Sequence, residues 1–135
     1  MPDTEELPNL RNIVQTQVAV TTVGTAGSAQ GSAVTPSSLN GYLAEISVNY
    51  HASAPASTVL VITDTTTGRV ILTLDATATD VTLYPRVQVH DEEGAAITGA
   101  YDKIPLYGSL TVTVTASNAL TNAVVVTLKW EHSFV

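Results

Sequence analysis

From Val14 to Trp130 the apolar residues recur at every second position, in short runs, and most of what separates them is Thr, Ser, Ala or Asn. A side-chain period of two belongs to a β-strand with one buried face. Val14, Val18 and Val20 alternate with Gln15, Gln17 and Ala19. Tyr42, Ala44, Ile46, Val48 and Tyr50 alternate with Leu43, Glu45, Ser47, Asn49 and His51. Leu110, Val112 and Val114 alternate with threonines, and Val124, Val126, Leu128 and Trp130 share one face of a last strand. Val and Thr are stiff at χ1 and suit a pleated surface. No stretch sustains a helical stripe. A brief helix over Ser38–Leu43 is the competing reading, and Gly41 with the long alternation favours a strand there.

Punctuation between the runs supports the same class. Thr58–Thr63 and Arg69–Leu74 flank Asp64-Thr65-Thr66-Thr67-Gly68, a polar link with Asp and Gly at its ends, which predicts a hairpin. In its second arm Val70, Leu72 and Leu74 are expected on one face and Ile71, Thr73 and Asp75 on the other. A strand over Asp80–Val89 is interrupted by Pro85, which cannot donate to a ladder and so marks an edge or a bulge. The stretch from Gly24 to Ser38 reads as a loop rich in Gly, Ala, Ser and Thr. The expectation is an all-β antiparallel sandwich or barrel-like domain of about seven strands over residues 12–135. It is preceded by an extended N-terminal arm, residues 1–11.

That arm carries Pro2, Pro8, Asp3, Glu5 and Glu6, with Leu7 and Leu10 as its anchors. It reads either as a frayed terminus or as a segment that orders on a neighbouring subunit.

Composition narrows the function. Charged residues are 13% of the chain, against roughly 25% in an average domain. The surface is therefore one of Thr, Ser, Asn and Ala, which loses little solvation when covered. The net charge is −7, and the five cations, Arg11, Arg69, Arg86, Lys103 and Lys129, are scattered. Nucleic-acid binding needs clustered cations to displace counterions, so no direct DNA or RNA contact is expected, nor binding to an acidic membrane. The absence of cysteine excludes disulfides, thiolate zinc ligands and a thiol nucleophile. The acidic start lacks the apolar core of a signal peptide, and no apolar run has the length of a bilayer span. Synthesis in a cytoplasm without standard secretion is the expectation.

Chemistry-bearing residues gather between Tyr84 and Ser109, YPRVQVHDEEGAAITGAYDKIPLYGS. His90, Asp91, Glu92 and Glu93 are adjacent, but neighbours on a strand point to opposite faces, so at most two reach one ion. A zinc site would need His51 or His132 as a further ligand. The simpler reading is a solvated turn before Gly94 in which Asp91 caps backbone N–H groups. Neither a Gly-x-Ser-x-Gly elbow nor a Lys-bearing phosphate loop is present. The expectation is no enzyme, no metal and no cofactor. The tyrosines Tyr42, Tyr50, Tyr84, Tyr101 and Tyr107 read as core and rim residues, as a protein interface, or as a sugar-stacking face. Arg86 and Lys103 either pair with Asp91 or Asp102 inside the domain or reach another subunit.

The order YPR, HD, GAA and DKIPL, at Tyr84, His90, Gly94 and Asp102, resembles a family of capsid decoration (cement) proteins of tailed bacteriophages, encoded near the major capsid protein. LNGYLAEISVNY from Leu39 and LTLDATATDVTLYPR from Leu72 fit the same pattern, and the resemblance covers most of the chain after Leu39. The segment between GAA and DKIPL is short here, and Ser117-Asn118-Ala119 stands where the family commonly has a Gly-rich turn. The resemblance implies a virion protein on the outer capsid surface that stabilises contacts between major capsid protein subunits. It implies a homo-oligomer, a trimer first and a dimer second. Leu7, Leu10, Tyr84, Arg86, His90, Asp91, Asp102, Lys103 and Tyr107 are then the expected interface residues or loop organisers. A receptor- or carbohydrate-binding module on the virion surface, and a tail or head–tail connection protein, are the alternatives.

Overall fold

The structure is a computed structural model and describes residues 12–132. The anchors Leu7 and Leu10, and the rest of the arm, lie outside the described residues. The described chain is all-β and antiparallel throughout. Eleven strands follow one another: β1 (Asn12–Val20), β2 (Ala29–Val34), β3 (Leu39–Tyr50), β4 (Val59–Asp64), β5 (Val70–Leu74), β6 (Val81–Leu83), β7 (Arg86–His90), β8 (Ala96–Lys103), β9 (Pro105–Gly108), β10 (Leu110–Ser117) and β11 (Val124–His132).

They form two facing sheets and a separate ribbon. One sheet runs β1-β11-β3-β6, with β9 also paired to β3, and the other runs β2-β10-β4-β5. The long β3 uses one edge twice: Leu39–Tyr42 pairs with β9, and Ile46–Val48 pairs with β6. β7 and β8 form a two-stranded hairpin of their own.

The alternation does the packing. Val18 and Val20, then Val124, Val126, Leu128 and Trp130, bury from one sheet. Leu60, Ile62, Leu110, Val112 and Val114 meet them from the other. A fully buried Val or Leu contributes roughly 1.5–3 kcal/mol of transfer free energy, so this layer dominates stability. Two buried groups lack a partner among the described residues, the Tyr50 hydroxyl and the Trp130 indole N–H. Burial, and secondarily the nearby Asp80 carboxylate, push the Tyr50 phenol above its ordinary range. Asp80 is held there by the Tyr50 N–H, which donates to its Oδ1 at 2.8 Å.

Besides the strand count, eleven rather than about seven, three features depart from the sequence expectation. The Gly24–Ser38 stretch contains a strand, β2, paired with β10, and Gly31 lets it pass close to the backbone at Thr21, whose carbonyl oxygen a Cβ there would meet at 2.3 Å. The simple alternation in β3 breaks. Trp130 pairs with Leu43 while Lys129 pairs with Glu45, so Ala44 is an extra residue. A bulge inverts the facing of all that precedes it, and Leu43 is buried while Tyr42 is exposed. The same happens in β5. Thr63 pairs with Val70 and Ile62 with Leu72, which leaves Ile71 over and turns it inward while Val70 is exposed.

Candidate binding surface

The Tyr84–Ser109 segment builds the ribbon and its root. Tyr84-Pro85 ends β6, and the chain leaves the five-stranded sheet to begin β7 at Arg86. The proline break is thus a change of sheet. The turn between β7 and β8 is organised by Asp91, as expected. Its Oδ1 accepts the N–H groups of Glu93 and Ala95, each at 2.9 Å. Gly94 supplies the left-handed backbone the turn needs, with φ +86°. His90 closes β7 opposite Ala96 and is exposed. Among the described residues no three His, Asp or Glu side chains converge.

The ribbon has no buried residue. Val87 and Ile97 are exposed on it, Tyr101 is 62% exposed, and Tyr84 at its root is 60% exposed. A lone two-stranded hairpin is marginal in water, so its register leans on the root. There the Lys103 ammonium pairs with Glu131 of β11, and Leu43 donates its N–H to the Ile104 carbonyl at 2.9 Å. Arg86 sits opposite Lys103 in the ladder and donates to the Pro85 carbonyl at 2.8 Å. Neither cation pairs with Asp91 or Asp102, so the first of the two alternatives read from the sequence does not hold. The partner of Lys103 is far along the chain and invisible to local spacing. Asp102 accepts the Lys103 N–H at 2.7 Å and is otherwise exposed.

The DKIPL segment joins two strands. Asp102 and Lys103 end β8, Ile104 is buried, and Pro105 begins β9 against β3. β9 alternates strictly: Leu106 is buried and Tyr107 is 84% exposed. Tyr107 borders an open groove of about 570 Å³ whose other wall is the β4–β5 turn, with Asp64, Thr66, Thr67 and Arg69. Arg69 donates to the Pro105 carbonyl at 3.3 Å and joins the two walls. A smaller cleft of about 230 Å³ continues past Arg69 between β5 and β7 and is lined by Val70, Arg86, Val87 and Ile104. Arg69 was not singled out in the sequence. It is an isolated cation after a glycine, and only the approach of β5 to β7 and β9 gives it a site.

No family model and no curated protein matches the sequence. Among solved structures the chain is similar to a family 29 carbohydrate-binding module at 11% identity and a TM-score of 0.34, covering 92% of this chain and 78% of the module. A mutant of such a module, at 10% identity and a TM-score of 0.33, is covered over 87% of its length by 94% of this chain. Another mutant, complexed with cellulohexaose, gives 10% identity and a TM-score of 0.32, over 92% of this chain and 80% of that one. These likenesses assign no function to this chain, whose all-β antiparallel architecture stands on its own strand pairing.

Proposed function

We propose that this chain is a structural virion protein that binds the outside of a tailed-phage capsid and stabilises contacts between major capsid protein subunits. The supporting observation is where the YPR, HD, GAA and DKIPL elements lie. All of them fall on the β7–β8 ribbon, its root and β9, and these present Tyr84, Tyr101 and Tyr107 to solvent with Val87 and Ile97. Aromatic residues that are rigid and half apolar are the usual anchors of a protein interface. A ribbon without a buried face gains most from being covered. Shallow contacts repeated around a symmetric shell add through avidity, so each need be only modest. The test is sedimentation of the purified protein with expanded, decoration-free shells. Saturable binding that raises shell resistance to heat supports the reading. No binding, or binding without stabilisation, refutes it.

A carbohydrate-binding role on the virion surface is the second reading. One observation favours it: the exposed Tyr107 ring beside Asp64, Thr66 and Arg69 in an open groove. Hits on a glycan array that vanish in Tyr107→Ala would select it over the first.

A further inference from the structure

Two arginines line one cleft of about 230 Å³ in a chain of net charge −7. Arg69 stands just before β5 and Arg86 opens β7, with the exposed Val70 and Val87 beside them. Each guanidinium is held by a backbone carbonyl, Pro105 for Arg69 at 3.3 Å and Pro85 for Arg86 at 2.8 Å. Each bond uses one terminal nitrogen, and the remaining N–H donors have no partner among the described residues. No carboxylate pairs with either arginine among the described residues, and no Asp or Glu lines this cleft. Two positioned guanidinium forks suit a planar anion. The cleft is small, which favours a carboxylate over a bulkier sulfate or phosphate ester.

Arg69 also lines the larger groove of about 570 Å³ that Tyr107 borders, so the two are continuous. The chemistry changes along the way. The Tyr107 ring is 84% exposed, on a strand fixed by its pairing with β3. Asp64 lies in the same groove and does not pair with Arg69. Its Oδ1 accepts the N–H groups of Thr66 and Thr67, at 2.9 and 3.0 Å, which holds the carboxylate still and leaves Oδ2 to accept from a ligand. A ring to stack on, a fixed acceptor and threonine hydroxyls complement a neutral sugar. A peptide offers Asp64 only scattered N–H groups, whereas one sugar ring offers several hydroxyl donors. A path from Tyr107 past Arg69 to Arg86 accommodates a stretch of linear chain, longer than one terminal residue.

We infer that the Tyr107 groove and the Arg69–Arg86 cleft form one site for a linear, uronate-bearing glycan. A neutral ring stacks on Tyr107 and donates to Asp64, and the carboxylate of an adjoining acidic ring sits between Arg69 and Arg86. The net charge of −7 does not oppose this at close range, because exposed charges more than about 8 Å away are screened at physiological salt. The inference names the ligand class for the carbohydrate reading of the groove and rests on that reading. Its test uses purified protein without capsids, so shell binding is judged separately.

The full chain is probed on an array of linear oligosaccharides, neutral, sulfated and uronate-bearing. Calorimetry then compares the strongest hit with the same oligosaccharide after carboxyl reduction. Uronate-bearing hits are expected, and reduction should weaken binding by about tenfold or more. Arg86→Gln should weaken binding of the acidic form by a similar factor and leave the reduced form unchanged. Tyr107→Ala should weaken both forms alike. Carboxyl reduction alters only the ligand, so its outcome stands whether or not a variant folds. Hits confined to neutral or sulfated glycans, or equal affinity before and after reduction, overturn the inference and leave the carbohydrate reading standing. An array without hits overturns both. A chain lacking residues 1–11 is run in parallel, and binding seen only with that chain assigns the site to the arm and overturns the inference.

Discussion

Gly41 is where the site and the sandwich are joined, and replacing it is the sharpest test of the architecture. It lies in β3 opposite His132 on one side and Leu106 on the other. Its φ is +137°, and a Cβ built there would fall 1.8 Å from the Glu131 carbonyl oxygen. No side-chain adjustment relieves a clash with backbone, so β3 and β11 must part by more than an ångström. Strain at a left-handed position contributes about 1–3 kcal/mol. One or two lost ladder hydrogen bonds contribute about 0.5–1.5 kcal/mol each. Gly41→Ala is therefore expected to cost about 3 kcal/mol, which for a chain of this size lowers Tm by about 10 °C. Gly27→Ala is the control: φ is +83° but nothing lies within 4 Å of its Cβ, so only strain of about 1 kcal/mol is expected. Urea and thermal unfolding followed by circular dichroism measure both. Equal destabilisation of the two, or a Gly41→Ala Tm within about 1 °C of the parent, would show that β3 and β11 do not approach as described.

Three further outcomes follow from named side chains. Tyr50→Phe removes a buried hydroxyl without a partner, so stability at pH 7 should hold or rise by up to about 1 kcal/mol. Because the folded phenol titrates above the unfolded one, the parent keeps its full stability below about pH 10 and loses it as pH rises through the folded value. The variant should lose less, and parallel urea midpoints between pH 7 and 11 would contradict this. Asp91→Ala frees the Glu93 and Ala95 N–H groups in an exposed turn. It should speed amide exchange across β7 and β8 while shifting Tm by less than about 3 °C, and unchanged exchange in the ribbon would refute the capping role. Tyr107→Ser should leave Tm within about 2 °C, since the ring is 84% exposed. That ring offers about 125–210 Å² for burial, about 3–5 kcal/mol at roughly 25 cal/mol per Å². Shell affinity should therefore fall at least tenfold, and unchanged affinity would remove Tyr107 from the interface.

The period-two pattern makes the class of fold legible, since burial of alternate valines on β10 and β11 depends only on local facing. It fails at Ala44 and Ile71, where one extra residue inverts the facing and nothing in the local sequence marks the bulge. β2 escapes because its Ala, Gly and Ser residues resemble a loop until β10 supplies the ladder. The turn at Asp91 is readable because an Asx cap is made within five residues. The pairing of Lys103 with Glu131 and the meeting of Arg69 with Arg86 are tertiary: the residues are far apart in sequence and converge only through sheet order. Pro85 signals an interruption, but whether the strand resumes in the same sheet or leaves it depends on what packs beyond.

On the function proposed above, the protein works by burying the β7–β8 ribbon and β9 against coat subunits. Imaging the intact particle at a resolution that traces side chains tests this most directly. This chain is expected on the outer shell with Tyr84, Tyr101 and Tyr107 buried against neighbouring subunits. A chain absent from the shell, or seated on it with that ribbon facing solvent, contradicts it.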